Sequence, residues 1–151
     1  MTKFKHSVEI ARPIGEVWSY VSNVENNPVW QGPMVEVRQG AGQQMEVGTK
    51  IEEVAQFLGK RFEITLEITD HEPLKRSAVR TTAGPVRLDG SYRFEEAGAG
   101  TRFTTEGEVE AHGFFRLAEP VFARVARREW ASSCETLKEL LEAGAGAASS
   151  P

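Results

Sequence analysis

From Met34 to Glu110 the sequence alternates apolar and polar residues through one short segment after another, and a single long amphipathic stretch follows. The clearest segment is KRFEITLEITD. Phe62, Ile64, Leu66 and Ile68 fall on one side of it, and Arg61, Glu63, Thr65 and Glu67 on the other. A period of two is the signature of a half-buried strand. MVEVRQ, GTKIEEVAQFL, KRSAVRTT, PVRLDGSYRFEE and TRFTTEGEVE complete a set of six, punctuated by Gly59, DHEPL and AGAG as turns. Beyond Gly113 the period changes to that of a helix. Phe114, Ala118, Val121, Phe122 and Val125 share one face, and Trp130, Cys134, Leu137 and Leu141 continue it. Pro120 is expected to kink this helix or mark its true start, and Gly144 to cap its end. One helix is too narrow to fill the hollow of a large curved sheet, so a cavity between the two is expected.

The N-terminal part adds one strand and two short helices. In FKHSVEI, Phe4, His6, Val8 and Ile10 alternate onto one face. Pro13 suits a first helical turn, after which Ile14, Val17, Trp18 and Val21 form a helical stripe. Ser22 and Glu25 have capping-box spacing for a second, shorter helix, which Pro28 ends or bends. The expected architecture is therefore α+β. A seven-stranded antiparallel sheet, one face covered and one wet, wraps around a long C-terminal helix, with two short helices after the first strand. Residues 1–143 form a single domain in this reading, and 144–151, rich in Ala, Gly and Ser, a flexible tail.

Composition excludes several classes. A net charge of −4 gives no basic footprint for nucleic acid. One cysteine, Cys134, rules out an internal disulfide and fits a reducing compartment. No apolar run approaches the ~20 residues of a membrane span, and the first residues lack the apolar core of a signal peptide. A cytoplasmic protein, monomeric or homodimeric, is the expectation. His6, His71 and His112 are not paired at metal-ligand spacing, so neither a metal nor a cofactor is expected. His71 falls in the DHEPL turn and reads as solvated. Arg124, Arg127 and Arg128 read as a solvated helix face.

VEIARPIGEVWSYVSNVENNPVWQGP, VGTKIEEVAQFLGKRFEITLEITDHEPLKR, YRFEEAGAGTRFTTEGEVE and RLAEPVFARVARREWASSCETLKELLE together cover most of the chain. In these stretches it resembles the SRPBCC, or START-like, superfamily. The nearest resemblance is to its bacterial polyketide cyclase/dehydrase and lipid-transport members. The resemblance implies the helix-grip fold and a ligand cavity, with the segment through Trp30 bordering the cavity entrance as wall or lid. The alternative is that Trp30 plugs the core beneath the helices. VWQGP is also similar to a Trp-Gly-Pro feature in relatives of the Hsp90 co-chaperone activators.

Within such a cup the expected ligand-binding wall comprises Trp30, Phe57, Phe62, Ile64, Tyr92, Phe94, Phe103, Val121, Phe122 and Val125, around a space of at least ~300 Å³. Four titratable residues are candidates for acid-base work. His6 is in phase with Phe4 and Val8. Tyr92 is in phase with Leu88, Gly90 and Phe94, and reads either as a hydroxyl inside the cup or as a core tyrosine bonded to backbone. Of the adjacent Glu52 and Glu53, strand parity sends one inward, and phase with Ile51, Ala55 and Phe57 favours Glu53. Glu129 lies between the two apolar stripes of the last helix. It either meets the sheet or cavity, or reaches solvent beside Arg128. Arg80 is expected outside, paired with Glu63 or Glu67. Three functions follow. The first is binding or transport of a small hydrophobic molecule such as a lipid, polyketide or aromatic metabolite. The second is a polyketide aromatase/cyclase or dehydratase acting in the same cavity. The third is a protein-interaction module like the co-chaperone relatives.

Overall fold

The computed structural model describes residues 2–39 and 45–145. The expected tail from 146 onward lies outside the described residues. Seven strands form one antiparallel sheet: β1 (Thr2–Ile10), β2 (Met34–Gln39), β3 (Lys50–Phe57), β4 (Lys60–Glu72), β5 (Arg76–Ala83), β6 (Val86–Ala97) and β7 (Gly100–Ala111). Their order is β1-β7-β6-β5-β4-β3-β2. Between β1 and β2 lie α1 (Ile14–Ser22), a 3-10 turn at Val24–Asn26 and α2 (Asn27–Trp30). After β7 come α3 (Phe114–Leu117) and the long α4 (Glu119–Glu142).

Local chemistry explains the boundaries. Leu58 and Gly59 both have positive φ, 51° and 75°, the two-residue turn whose twist suits a hairpin, and they join β3 to β4. The AGAG turn pairs Phe94 with Phe103, and Thr101 with Glu96. Gly107 faces Gly90 across β6 and β7, and the Phe4 ring covers the space that a side chain would take. Pro120 sits in the first turn of α4, so it marks a start and not a kink. Gly144 follows α4 with φ 101° and donates its amide to Leu141, closing the helix. The second short helix is capped differently from the sequence expectation. Asn23, not Ser22, accepts the Glu25 amide, and Pro28 lies in the first turn of α2 instead of ending it.

The core has three parts. Val8, Ile10, Val17, Trp30, Phe94, Phe103, Cys134, Leu137 and Leu141 knit β1, α1 and the second half of α4 together. Phe115, Phe122 and Ala126 pack with Val86 and Val109, joined by Phe57 and Phe62. Ile51, Ile64, Leu66 and Ile68 form the inner face of β3 and β4, and Val24 of the 3-10 turn packs on it. α4 lies along β1 and α2 approaches α4. The hollow left between α2, the middle of α4 and the centre of the sheet is the candidate site.

Candidate functional site

The cavity holds about 110 Å³ and its lining is mostly apolar. Ile51, Leu66, Ile68, Val79 and Leu88 form its sheet side, Val24 of the 3-10 turn lies opposite, and Trp30, Tyr92, Phe94 and Trp130 give it aromatic walls. It is smaller than the expected 300 Å³, for a visible reason. Phe57, Phe62 and Phe122 were expected around the space, but they plug one end of the cup with Phe115. Their rings meet edge to face, Phe57 to Phe122 at 5.1 Å and Phe62 to Phe115 at 5.2 Å. Phe115 reaches the plug because α3 is a separate turn after Gly113, a break that the helical stripe in the sequence conceals.

Other expected wall residues also lie elsewhere. Val121 is 52% exposed, because starting α4 at Glu119 turns Phe122 and Ala126 inward and rolls Val121 out. Val125 is half-buried beside that inward face, away from the lining. Phe103 and Ile64 are core residues behind the wall, at 0% and 4% exposure. His6 does not enter the cavity; its Nε2 stands 3.5 Å from Glu135 on α4. Arg80 points outward and donates to Glu67 at 3.2 Å.

Glu53 is the most unusual group in the site. It is 2% exposed and lines the cavity. Its Oε1 accepts a hydrogen bond from Asn27 Nδ2 at 2.8 Å, while Oε2 has no partner. Burial pushes its pKa up to about 7, against the opposing pull of the Asn27 bond. Trp30 is 3% exposed, packs on Tyr92 and Phe103, and leaves its buried Nε1 without a partner. It belongs to the core beneath the helices and lines the cavity from there. Tyr92 Oη accepts from Gln31 Nε2 at 2.9 Å. Burial, then the nearby Glu53 charge, raises the pKa of the phenol.

One short helix organises all three groups. Asn27 and Trp30 stand at i and i+3 of α2, and Gln31 follows as its C-cap. This segment holds Glu53 of β3 through Asn27 and Tyr92 of β6 through Gln31. Just beyond it, the Gly32 amide donates to Ser133 Oγ of α4 at 3.0 Å. Glu129 lines the cavity there, its Oε2 2.5 Å from where a Gly32 Cβ would stand. Asn27 and Gln31 were not singled out in the sequence, although their spacing with Trp30 was readable.

His71 is a further lining residue that the sequence reading placed in solvent. β4 runs on to Glu72, and a register shift between Ile68 and Asp70 reverses the alternation of the strand. His71 therefore faces inward opposite Ser77, against the Trp18 ring at 5.1 Å. Among the described residues no group of three or more His, Cys, Asp or Glu side chains is arranged to hold a metal. Among them, too, no helix is long and apolar enough to cross a membrane.

A curled seven-stranded antiparallel sheet gripping a long C-terminal helix is the helix-grip, START-like fold. The chain belongs to the family described as polyketide cyclase / dehydrase and lipid transport, whose model matches residues 1–142. Among solved structures it is similar to a Thermus thermophilus protein at TM-score 0.78 and 20% identity, covering 94% of this chain and 99% of that one. The Zhui aromatase/cyclase from Streptomyces is similar at TM-score 0.74 and 19% identity, with 97% of each chain covered. A START superfamily protein from Mycobacterium smegmatis is similar at TM-score 0.71 and 15% identity, with 95% and 96% covered. At these identities the likeness is one of fold. No curated protein matches the chain.

Proposed function

We propose that the protein binds a small hydrophobic molecule in this cavity. The observation that carries the reading is a hollow of about 110 Å³ lined mostly by apolar side chains between α2, α4 and the sheet, with the buried Glu53 in its wall. Family membership supports the same reading. The test is native mass spectrometry of protein purified from its own host. A stoichiometric small-molecule adduct, released on denaturation and lost on filling the cavity by Val79→Trp, is the expected result. An adduct that persists in that variant would place the ligand elsewhere.

A second reading is catalysis in the same cavity, of the cyclase or dehydratase kind named by the family. What favours it is Glu53, whose pKa of about 7 suits proton transfer at neutral pH. Enzyme-dependent exchange of the methyl hydrogens of acetophenone in D2O, abolished in Glu53→Gln, would support it. A protein-interaction role has less support. The large exposed apolar side chains include single residues on α2, β2 and the β4–β5 turn, with Leu117 and Val121 at the start of the C-terminal helices.

A further inference from the structure

The C-terminal helices begin with apolar side chains in water. Leu117, the last residue of α3, is 90% exposed, and Val121 in the first turn of α4 is 52% exposed. Neither has an inward alternative, because Phe115 and Phe122 already fill the inner side at this end. Val121, Arg124, Val125 and Arg128 stand at i, i+3, i+4 and i+7, so apolar and cationic side chains share one outer face of α4. Residues 116–128 carry four arginines against one glutamate, in a chain whose net charge is −4. Elsewhere Arg12, Arg38, Arg76, Arg80 and Arg102 each pair with a carboxylate. Arg116, Arg124 and Arg128 have no ion pair or hydrogen bond among the described residues. The β3–β4 turn brings further cations to the same end. Phe57 meets Phe122 at 5.1 Å and Phe62 meets Phe115 at 5.2 Å. The turn between Phe57 and Phe62, with half-buried Leu58 and exposed Lys60 and Arg61, therefore flanks the start of α4.

We propose that this end of the molecule docks on the surface of an anionic lipid bilayer, with Leu117 and Val121 entering the headgroup layer and Arg61, Arg116, Arg124 and Arg128 lying against the lipid phosphates. Charge selects this occupant. An acidic chain is repelled by an anionic surface everywhere except at a basic patch, so the patch also fixes the orientation of docking. A second copy of the chain would bring arginine against arginine. Leu117 projects from the surface, and a fluid headgroup layer accepts it without a matching shape. Two apolar side chains and a few arginines give a reversible attachment that weakens as salt screens the charges. The proposal is independent of what the cavity holds.

Co-sedimentation with vesicles tests it, comparing phosphatidylcholine alone with phosphatidylcholine containing about 30% phosphatidylserine. The native protein is expected to bind the anionic vesicles at least about 10-fold more tightly at about 0.1 M salt, and to be released at about 0.5 M. Arg124→Gln combined with Arg128→Gln should weaken binding about 25-fold, roughly fivefold for each arginine. Leu117→Ser combined with Val121→Ser should weaken it severalfold without changing its dependence on salt. Leu74→Ser, in the β4–β5 turn at the far end of β4, should leave it unchanged. Failure to bind the anionic vesicles, equal binding to both kinds of vesicle, or binding that neither pair of substitutions weakens would overturn the proposal. A protein dimer that both pairs dissolve would also overturn it and assign this face to a second copy. The ligand-binding reading would survive each of those results.

Discussion

Glu53 shows what one residue contributes. Its carboxyl is neutral in the fold up to about pH 7, whereas in the unfolded chain it ionises near its ordinary value of about 4.3. The folded state therefore binds more protons between those values. The contribution of Glu53 to stability is complete below the lower value and is lost as pH rises through about 7. The loss is on the order of 3 kcal/mol. Glu53→Gln keeps the Asn27 bond and removes the titration. Urea denaturation should find the two proteins alike near pH 4.5 and the variant more stable at pH 8. A parallel pH dependence in both would show that Glu53 is ionised in the fold. The inward direction of Glu53 was legible in the sequence because β3 alternates regularly around it. His71 was not legible, because a bulge two residues earlier reverses the parity of β4 and has no mark in composition. Trp30 was legible as a residue in need of explanation, but its burial depends on how α2 docks on α4.

At the scale of elements, the strands were readable from alternation and the turns from Gly, Pro and Asn. The boundary at Ala118 was not, since the apolar stripe continues through it and only Pro120 signals the break. Close approach between strands was partly readable in the paired glycines. A Cβ on Gly107 would overlap the Asp89 carbonyl and stand 2.8 Å from the Gly90 Cα, both β6 backbone that cannot yield. Gly107→Ala should thus cost about 2–4 kcal/mol, in the range of severe single substitutions. Gly98, in the open β6–β7 turn with φ 61° and nothing within 4 Å, supplies the contrast. Gly98→Ala should cost about 1 kcal/mol for its left-handed backbone alone. Denaturation midpoints measure both, and equal costs would contradict the account of the sheet.

For the whole molecule, a broad sheet with one long helix foretold a hollow, and it did so without any motif. The size of the hollow was not foretold. The Phe57, Phe62, Phe115 and Phe122 plug assembles from two separated parts of the chain, and its rings look the same in sequence as rings around a cavity. Phe122→Ala should cost about 3–5 kcal/mol and lengthen the cavity toward that end, so that a two-ring probe such as naphthalene binds better relative to benzene. The central claim is that a small apolar molecule occupies the hollow between α2, α4 and the sheet. A titration with benzene, followed in methyl spectra, addresses it most directly. The prediction is saturable shifts concentrated on Val24, Ile51, Leu66, Ile68, Val79 and Leu88. Shifts centred on exposed Leu117 and Val121, or no saturable shift at all, would contradict it.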